Sequence, residues 1–259
     1  MPGRGLWRGA RQLTITIDGR DVLCEPGELL LSIAERSGMH IPNLCRHEGL
    51  REQGCCRVCI AEVETGGRRE VVAACVYPVE RECAVYTDSE RIRRNRGVIL
   101  ALLRARAPAS AEIDRLCREY GAPEYSRFTA HRDDEKCILC GLCAAACESL
   151  GTGAISMVNR GIDKKVSTPY DEPALVCVGC ASCASVCPTG AISVSEDASE
   201  RTIWNKKLPL ALCSRCGTAF GTVFEHYRAS QQSGAPPPEL CPDCRRKAIT
   251  DAMADTYGR

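Results

Sequence analysis

Twenty cysteines fall in a chain of 259 residues, and most of them sit in short CxxC and CxxCxxC clusters. That spacing constrains the fold more than any apolar pattern does. Such tight clusters suit convergence on one metal centre better than a typical disulfide framework, and ligand bonds then supply folding energy that a small apolar core lacks. Aromatics make up only 5% of the chain, which is thin for one large hydrophobic core. An even cysteine count would also suit a secreted disulfide scaffold. Against that, the N-terminal stretch MPGRGLWRGARQ has no apolar signal region. No apolar run approaches the roughly 18 residues of a membrane span. A cytoplasmic location with reduced, metal-binding thiols is therefore expected. The net charge of +1 gives global electrostatics no argument for nucleic acid or for an acidic partner.

Two copies of C-x2-C-x2-C-x3-C stand at Cys137, Cys140, Cys143 and Cys147 and at Cys177, Cys180, Cys183 and Cys187. Each is followed by the same tetrapeptide, Gly153–Ser156 and Gly190–Ser193, read as a strand, so this is an internal repeat. Three close cysteines wrap three irons of a [4Fe–4S] cubane, and the fourth ligates the other cluster of the pair. One cluster is thus expected on Cys137, Cys140, Cys143 and Cys187, the other on Cys177, Cys180, Cys183 and Cys147. The first copy departs from the pattern at Glu148, where proline is expected.

Upstream, Leu13–Ile17 alternates at period two, Asp18-Gly19 is a hairpin turn, and Arg20–Cys24 returns as a second strand. A short helix is predicted over 28–36 and strands at 60–64 and up to Cys75. The cysteines here follow C-x10-C-x2-C-x15-C, a variant of the plant-type ferredoxin spacing. The segments Ile41–Cys45, Gly54–Cys59 and Ala73–Cys75 resemble the N-terminal domain of the large iron–sulfur subunit of complex I. That domain also opens Fe-only hydrogenases, the small diaphorase subunit of NAD-linked hydrogenases and some NAD-dependent formate dehydrogenases. The resemblance implies a β-grasp fold with a [2Fe–2S] cluster on Cys45, Cys56, Cys59 and Cys75. Cys55 sits beside a ligand, and Cys56 is preferred because it keeps the CxxC pair with Cys59. The segments 153–161 and 165–169 look like the same subunit, so the resemblance covers most of residues 12–195.

In those relatives the next segment holds a cluster on H-x3-C-x2-C-x5-C. Here only Cys117 and His131 lie between Arg91 and Lys136, and that cluster is missing. Instead, 89–106 reads as a basic amphipathic helix with Ile92, Ile99 and Leu103 on its apolar stripe. Its arginines, Arg96 among them, are expected on a solvated or docking face. A second helix is predicted from a Ser110 cap to Gly121.

At the C-terminus, Cys213-x2-Cys216 and Cys241-x2-Cys244 are separated by 24 residues, with 231–239 read as a loop. Two such knuckles present four thiolates tetrahedrally, which suits Zn²⁺ first, then a further iron–sulfur cluster or mononuclear iron. Cys24, Cys55, Cys83 and Cys117 remain, with buried apolar thiols as their default reading.

The expected fold is α+β: a β-grasp [2Fe–2S] domain (1–88), a helical linker (89–135), a two-cluster bacterial ferredoxin domain (136–197) and a zinc-ribbon-like module with a C-terminal helix (198–259). The chain has no Rossmann or P-loop glycine pattern, and its four histidines form no ligand cluster. The expected function is an electron-transfer subunit of a soluble NAD(P)-linked oxidoreductase, of hydrogenase or formate dehydrogenase type. It would relay single electrons between a flavin- and NAD(P)H-binding subunit and a catalytic subunit, with bifurcation left open. A free-standing multi-cluster ferredoxin and a redox-sensing zinc-ribbon regulator are the alternatives.

Overall fold

The computed structural model describes residues 12–125 and 132–257; His131 lies outside the described residues. The chain divides into two compact units, residues 1–142 with 188–191, and 143–187 with 192–259.

The first unit contains β1 (Leu13–Ile17), β2 (Arg20–Cys24), β3 (Glu28–Leu29), α1 (Leu30–Arg36), β4 (Ile60–Thr65), β5 (Arg68–Ala73), β6 (Pro78–Val79), β7 (Ala84–Tyr86), α2 (Glu90–Arg106) and α3 (Ala111–Glu119). Five strands form one sheet in the order β2-β1-β7-β4-β5, with β1 and β7 parallel and the other pairs antiparallel. Period-two burial puts Ile15, Ile17, Val63 and Val85 in one core with Leu30, Leu31, Ile33 and Ala34 of α1. The turn residues Asp18 and Gly19 both take positive φ, as a two-residue hairpin of this hand requires.

Three details differ from the sequence expectation. The helix starts at Leu30, because Glu28 and Leu29 pair with Val79 and Pro78 as a short strand. The strand β7 carries no sequence signal of its own; it is fixed by neighbours on both sides. Helix α2 is capped by Ser89, whose hydroxyl accepts from the Ile92 N–H, but its core face is Ile92, Arg96, Gly97, Leu100 and Ala101. Arg96 is thus not on a solvated face: it is 1% exposed.

The second unit holds α4 (Leu142–Ser149, beginning at the unit boundary), β8 (Ser156–Val158), β9 (Lys165–Ser167), α5 (Ser182–Ser185), β10 (Val194–Glu196), β11 (Glu200–Ile203), β12 (Lys206–Leu212), β13 (Ala219–Thr222), α6 (Val223–Ser233) and α7 (Pro242–Tyr257). Strands β8 and β9 pair with each other, and β10-β11-β12-β13 form an antiparallel meander. The repeated Gly-Ala-Ile-Ser segments lead into the strands, and only Ser156 enters one, as the first residue of β8. In the first copy the Ala154 N–H is spent on the Cys147 sulfur at 3.1 Å, which takes it out of any ladder. The apolar core is small, built on Ile155, Ile203 and Leu208 among cysteines.

Helix α6 replaces the start of the expected 231–239 loop. Thr222 and Glu225 form a reciprocal capping box, and Gly234 ends the helix in the left-handed conformation. The fully buried Thr222 hydroxyl accepts from the Glu225 N–H at 3.0 Å and donates to the Val178 carbonyl beside Cys177. Replacing Thr222 by Ala removes both bonds and is expected to lower unfolding stability by about 2 kcal/mol. Denaturant unfolding of the loaded protein would check this, and an unchanged midpoint would contradict it.

Candidate metal centres

The four cysteines expected on one centre of the first unit are all buried: Cys45 and Cys56 on the loop after α1, Cys59 at the start of β4, and Cys75 just after β5. The Cys56 N–H donates to the Cys45 sulfur at 3.4 Å. Thiols of Cys55, Cys56 and Cys75 surround Cys45, and hydrogen bonds from them, Cys55 first, hold it far below the usual thiol range. Cys59 is drawn down to about 7, chiefly by the hydrogen bond from Cys75. Cys75 and Cys56 are correspondingly pushed up, each first by its bond to Cys45. The arrangement concentrates thiolate charge where sulfurs meet, and a metal centre neutralises that charge.

Cys55 belongs to this group without sharing its burial. It is exposed, and its thiol donates to the Cys140 carbonyl at 3.2 Å. The default reading of Cys55 as a buried apolar thiol is therefore corrected. Cys24 and Cys117 are buried and Cys83 half-buried, and desolvation raises all three thiols above their ordinary value, so these are packing residues.

The two C-x2-C-x2-C copies share a backbone as well as a spacing. Leu139 and Gly141 take positive φ in the first, and Gly179 and Ala181 do so at the same positions in the second. Left-handed residues are costly for Leu and Ala, but alternating right- and left-handed residues turn successive N–H groups inward into an anion-binding nest. The Leu139 N–H meets the Cys137 sulfur at 3.4 Å. A side chain at Gly179 would press to 3.0 Å against both Leu208 and Thr222, so glycine is needed there for room as well as for φ.

Cys147, Cys177, Cys180 and Cys183 line one pocket, together with Ala154, Ile155, Ile203 and Trp204. Thr152 Oγ1 lies 3.1 Å from the Cys147 sulfur, and Trp204 Nε1–H donates to Cys183 at 3.5 Å. Lys206 grips the approach to Cys177, donating to the carbonyls of Ala174, Leu175 and Cys177 at 2.9, 2.9 and 2.8 Å. Neither Trp204 nor Lys206 was visible from motif reading, although the Trp204-Asn205 turn between β11 and β12 places both. Cys137 and Cys140 stand in the first unit, Cys143 and Cys187 in the second. Thiolates, inward N–H groups and a nearly apolar wall fit an anionic iron–sulfur cluster.

At the C-terminus, the sulfurs of Cys213, Cys216, Cys241 and Cys244 all lie within 4.8 Å of one another. Cys216 and Cys241 are 3.8 Å apart. A tetrahedral ion with metal–sulfur bonds of about 2.3 Å separates its sulfurs by about 3.8 Å, so the geometry fits a single ion. A multi-iron cluster spreads its ligands wider. Backbone N–H groups, that of Cys241 first, draw the Cys213 thiol down to about 6, while its hydrogen bond to Cys216 raises Cys244 to about 12. Among the described residues no histidine joins this group: His47 is exposed and accepts from the Gly49 N–H, and His226 stacks on Phe220. No described helix is long and apolar enough to cross a membrane.

Two stretches of the chain match known iron–sulfur domains. Residues 10–90 match the 2Fe-2S iron-sulfur cluster binding domain, and residues 130–194 match the 4Fe-4S dicluster domain. Subunit HndD of the NADP-reducing hydrogenase of Solidesulfovibrio fructosivorans is 33% identical over 187 residues, covering 61% of this chain and 32% of that protein. The mitochondrial 78 kDa subunit of NADH-ubiquinone oxidoreductase of Candida albicans is 34% identical over 102 residues, covering 39% and 14%. The chain thus spans a third or less of the length of these curated relatives. A chain in the crystal structure of an NAD+-reducing [NiFe]-hydrogenase in the H2-reduced state superposes with a TM-score of 0.58 at 27% identity, covering 69% of this chain and 86% of that one. The chain therefore carries a 2Fe-2S iron-sulfur cluster binding domain followed by a 4Fe-4S dicluster domain, and is similar over part of its length to subunits of a hydrogenase and of NADH-ubiquinone oxidoreductase.

Proposed function

We propose that this protein is an electron-relay subunit of a multi-subunit NAD(P)-linked oxidoreductase, taking single electrons between a flavin-containing subunit and a catalytic subunit of hydrogenase or formate dehydrogenase type. The observation that carries this reading is the succession of the two iron–sulfur domains in one chain that is 33% identical over 187 residues to the hydrogenase subunit. The first unit's sheet, with its parallel β1–β7 pair and packed α1, is read as a β-grasp. Cys45, Cys56, Cys59 and Cys75 would hold a [2Fe–2S] cluster. Cys137, Cys140, Cys143 and Cys187 would hold one [4Fe–4S] cluster, and Cys177, Cys180, Cys183 and Cys147 the other. When bound, such clusters accept and release single electrons at potentials set by hydrogen bonds, charge and burial. Cys213, Cys216, Cys241 and Cys244 would hold a structural zinc ion.

The chain's own residues do the remaining work. Inward N–H groups solvate the sulfurs, and Ile155, Ile203 and Trp204 keep water from the second cubane site. The contact from Cys55 to the Cys140 carbonyl joins the first centre's loop to the loop bearing Cys137 and Cys140.

The test is anaerobic purification from the native host, followed by addition of NADH or NADPH. Co-elution with a flavoprotein and bleaching of the iron–sulfur absorbance by the nucleotide is expected. A protein that elutes alone, and stays oxidised with nucleotide and any co-purified flavoprotein, contradicts the relay. Within the chain, Trp204→Phe removes one N–H···S bond and should lower the potential of one [4Fe–4S] cluster by about 40 mV. A redox titration that finds both [4Fe–4S] potentials unmoved would refute that role for Trp204.

A further inference from the structure

Arg96 and Lys206 donate their hydrogen bonds to carbonyl oxygens, and each stands against a cluster ligand. Among the described residues Arg96 is the largest fully buried side chain. Its guanidinium donates to the carbonyls of Val58 at 3.0 Å and Ile60 at 2.7 Å, the residues on either side of Cys59, and to Thr87 at 3.1 Å. Its remaining face lies over the Tyr120 ring at 4.8 Å. The neighbouring acids are engaged elsewhere: Glu62 with Ser89 and Arg91, Asp88 with Arg93. Among the described residues no carboxylate pairs with Arg96. Lys206, half-buried, repeats the arrangement in the second unit, its ammonium on the carbonyls of Ala174, Leu175 and Cys177 and 5.7 Å from the centre of the Phe224 ring. The acids of its hairpin are also taken, Glu196 by Arg201 and Glu200 by Lys207.

A buried charge without a counterion is strongly disfavoured, and carbonyl dipoles solvate a cation without neutralising it. A thiolate-ligated iron–sulfur cluster is an anion, and it becomes more negative by one charge on reduction. The two halves fit. We propose that Arg96 and Lys206 are the resident countercharges of the [2Fe–2S] cluster and of the [4Fe–4S] cluster on Cys147, Cys177, Cys180 and Cys183, and that each raises the reduction potential of its own cluster. This rests on the cluster assignments above. Arg96 and Lys206 touch no cluster themselves; they act through charge placed against Cys59 and Cys177.

Each residue is the other's control. In loaded, anaerobic protein titrated electrochemically with EPR detection, Arg96→Gln should lower the [2Fe–2S] potential by at least a tenfold change in the reduction equilibrium, about 59 mV for one electron. Both [4Fe–4S] potentials should stay in place. Lys206→Gln should do the converse, moving one [4Fe–4S] signal only. Arg96→Lys and Lys206→Arg keep the charge and should keep the potential.

A neutral variant that stays loaded without moving its own cluster overturns the proposal. So does a variant that moves all clusters together. If Arg96→Gln fails to load, the charge-conserving Arg96→Lys decides: loading at the parental potential supports the countercharge. Loss of loading or a potential dropped by the same tenfold means the guanidinium's hydrogen bonds, not its charge, are what matter. Wild-type protein without a [2Fe–2S] signal would instead strike the cluster assignment itself, which separates the two failures.

Discussion

The Cys56→Ala variant is expected to lose the [2Fe–2S] spectrum and about two irons per chain, while Cys55→Ala keeps both. The two residues are adjacent, and both thiols reach Cys45, so spacing alone separates them poorly. Their surroundings separate them well. Cys56 is buried, and its N–H already meets the Cys45 sulfur. Cys55 is exposed, and its single S–H lies within reach of the Cys140 carbonyl as well as of Cys45. Iron and sulfide analysis with EPR of both variants checks this. Loss of the cluster from Cys55→Ala with retention in Cys56→Ala would reverse the assignment.

Cys55→Ala should still have a phenotype, because the contact to the Cys140 loop goes with it. Electron transfer between the [2Fe–2S] and the [4Fe–4S] signals is expected to slow, with the cluster content unchanged.

The second large effect concerns the C-terminal site. Helix α7 buries a single residue, Cys244, and the local apolar support is limited to Phe220 and Leu240 beside three of the cysteines. So little core cannot hold a 16-residue helix against its conformational entropy. A structural zinc ion is worth about 10–16 kcal/mol of apparent binding free energy in small zinc modules, and under the zinc assignment proposed above that energy would hold the knuckles together. Cys216→Ala with Cys241→Ala should therefore release zinc, lower the helical circular dichroism and open the 234–241 segment to proteolysis. The iron content should not change. A doubly substituted protein with an unaltered helical signal and unaltered protease resistance would show that the metal is dispensable for this region.

The sequence carried the centres much better than it carried their surroundings. The two CxxCxxC copies were legible because a cluster demands several thiolates at fixed short spacing, and the alternating left-handed residues at 139, 141, 179 and 181 follow from the same demand. The hairpin at Asp18-Gly19 and the helix cap at Ser110 were legible for local reasons, turn chemistry and capping. Strand β7 was not, since three residues carry no periodicity and its place depends on β1 and β4 pairing around it. Arg96 was misplaced on a solvated face because an arginine in a basic run reads as surface, and only the carbonyls of residues 58, 60 and 87 make its burial tolerable. Helix α6 was missed although Thr222, Glu225 and Gly234 mark both its ends; the expected proline-rich loop at 231–239 took in only its last residues. Trp204 and Lys206 were invisible because their roles come from a hairpin that folds back over the cysteine loop, which no linear spacing encodes.

The most direct test of the relay reading is metal and sulfide analysis of anaerobically prepared protein, paired with EPR during stepwise reduction. About ten iron atoms and about ten acid-labile sulfides per chain are expected, with one zinc, one [2Fe–2S] signal and interacting [4Fe–4S] signals. Protein prepared in the same way that is rich in zinc, poor in iron and without acid-labile sulfide would contradict the account.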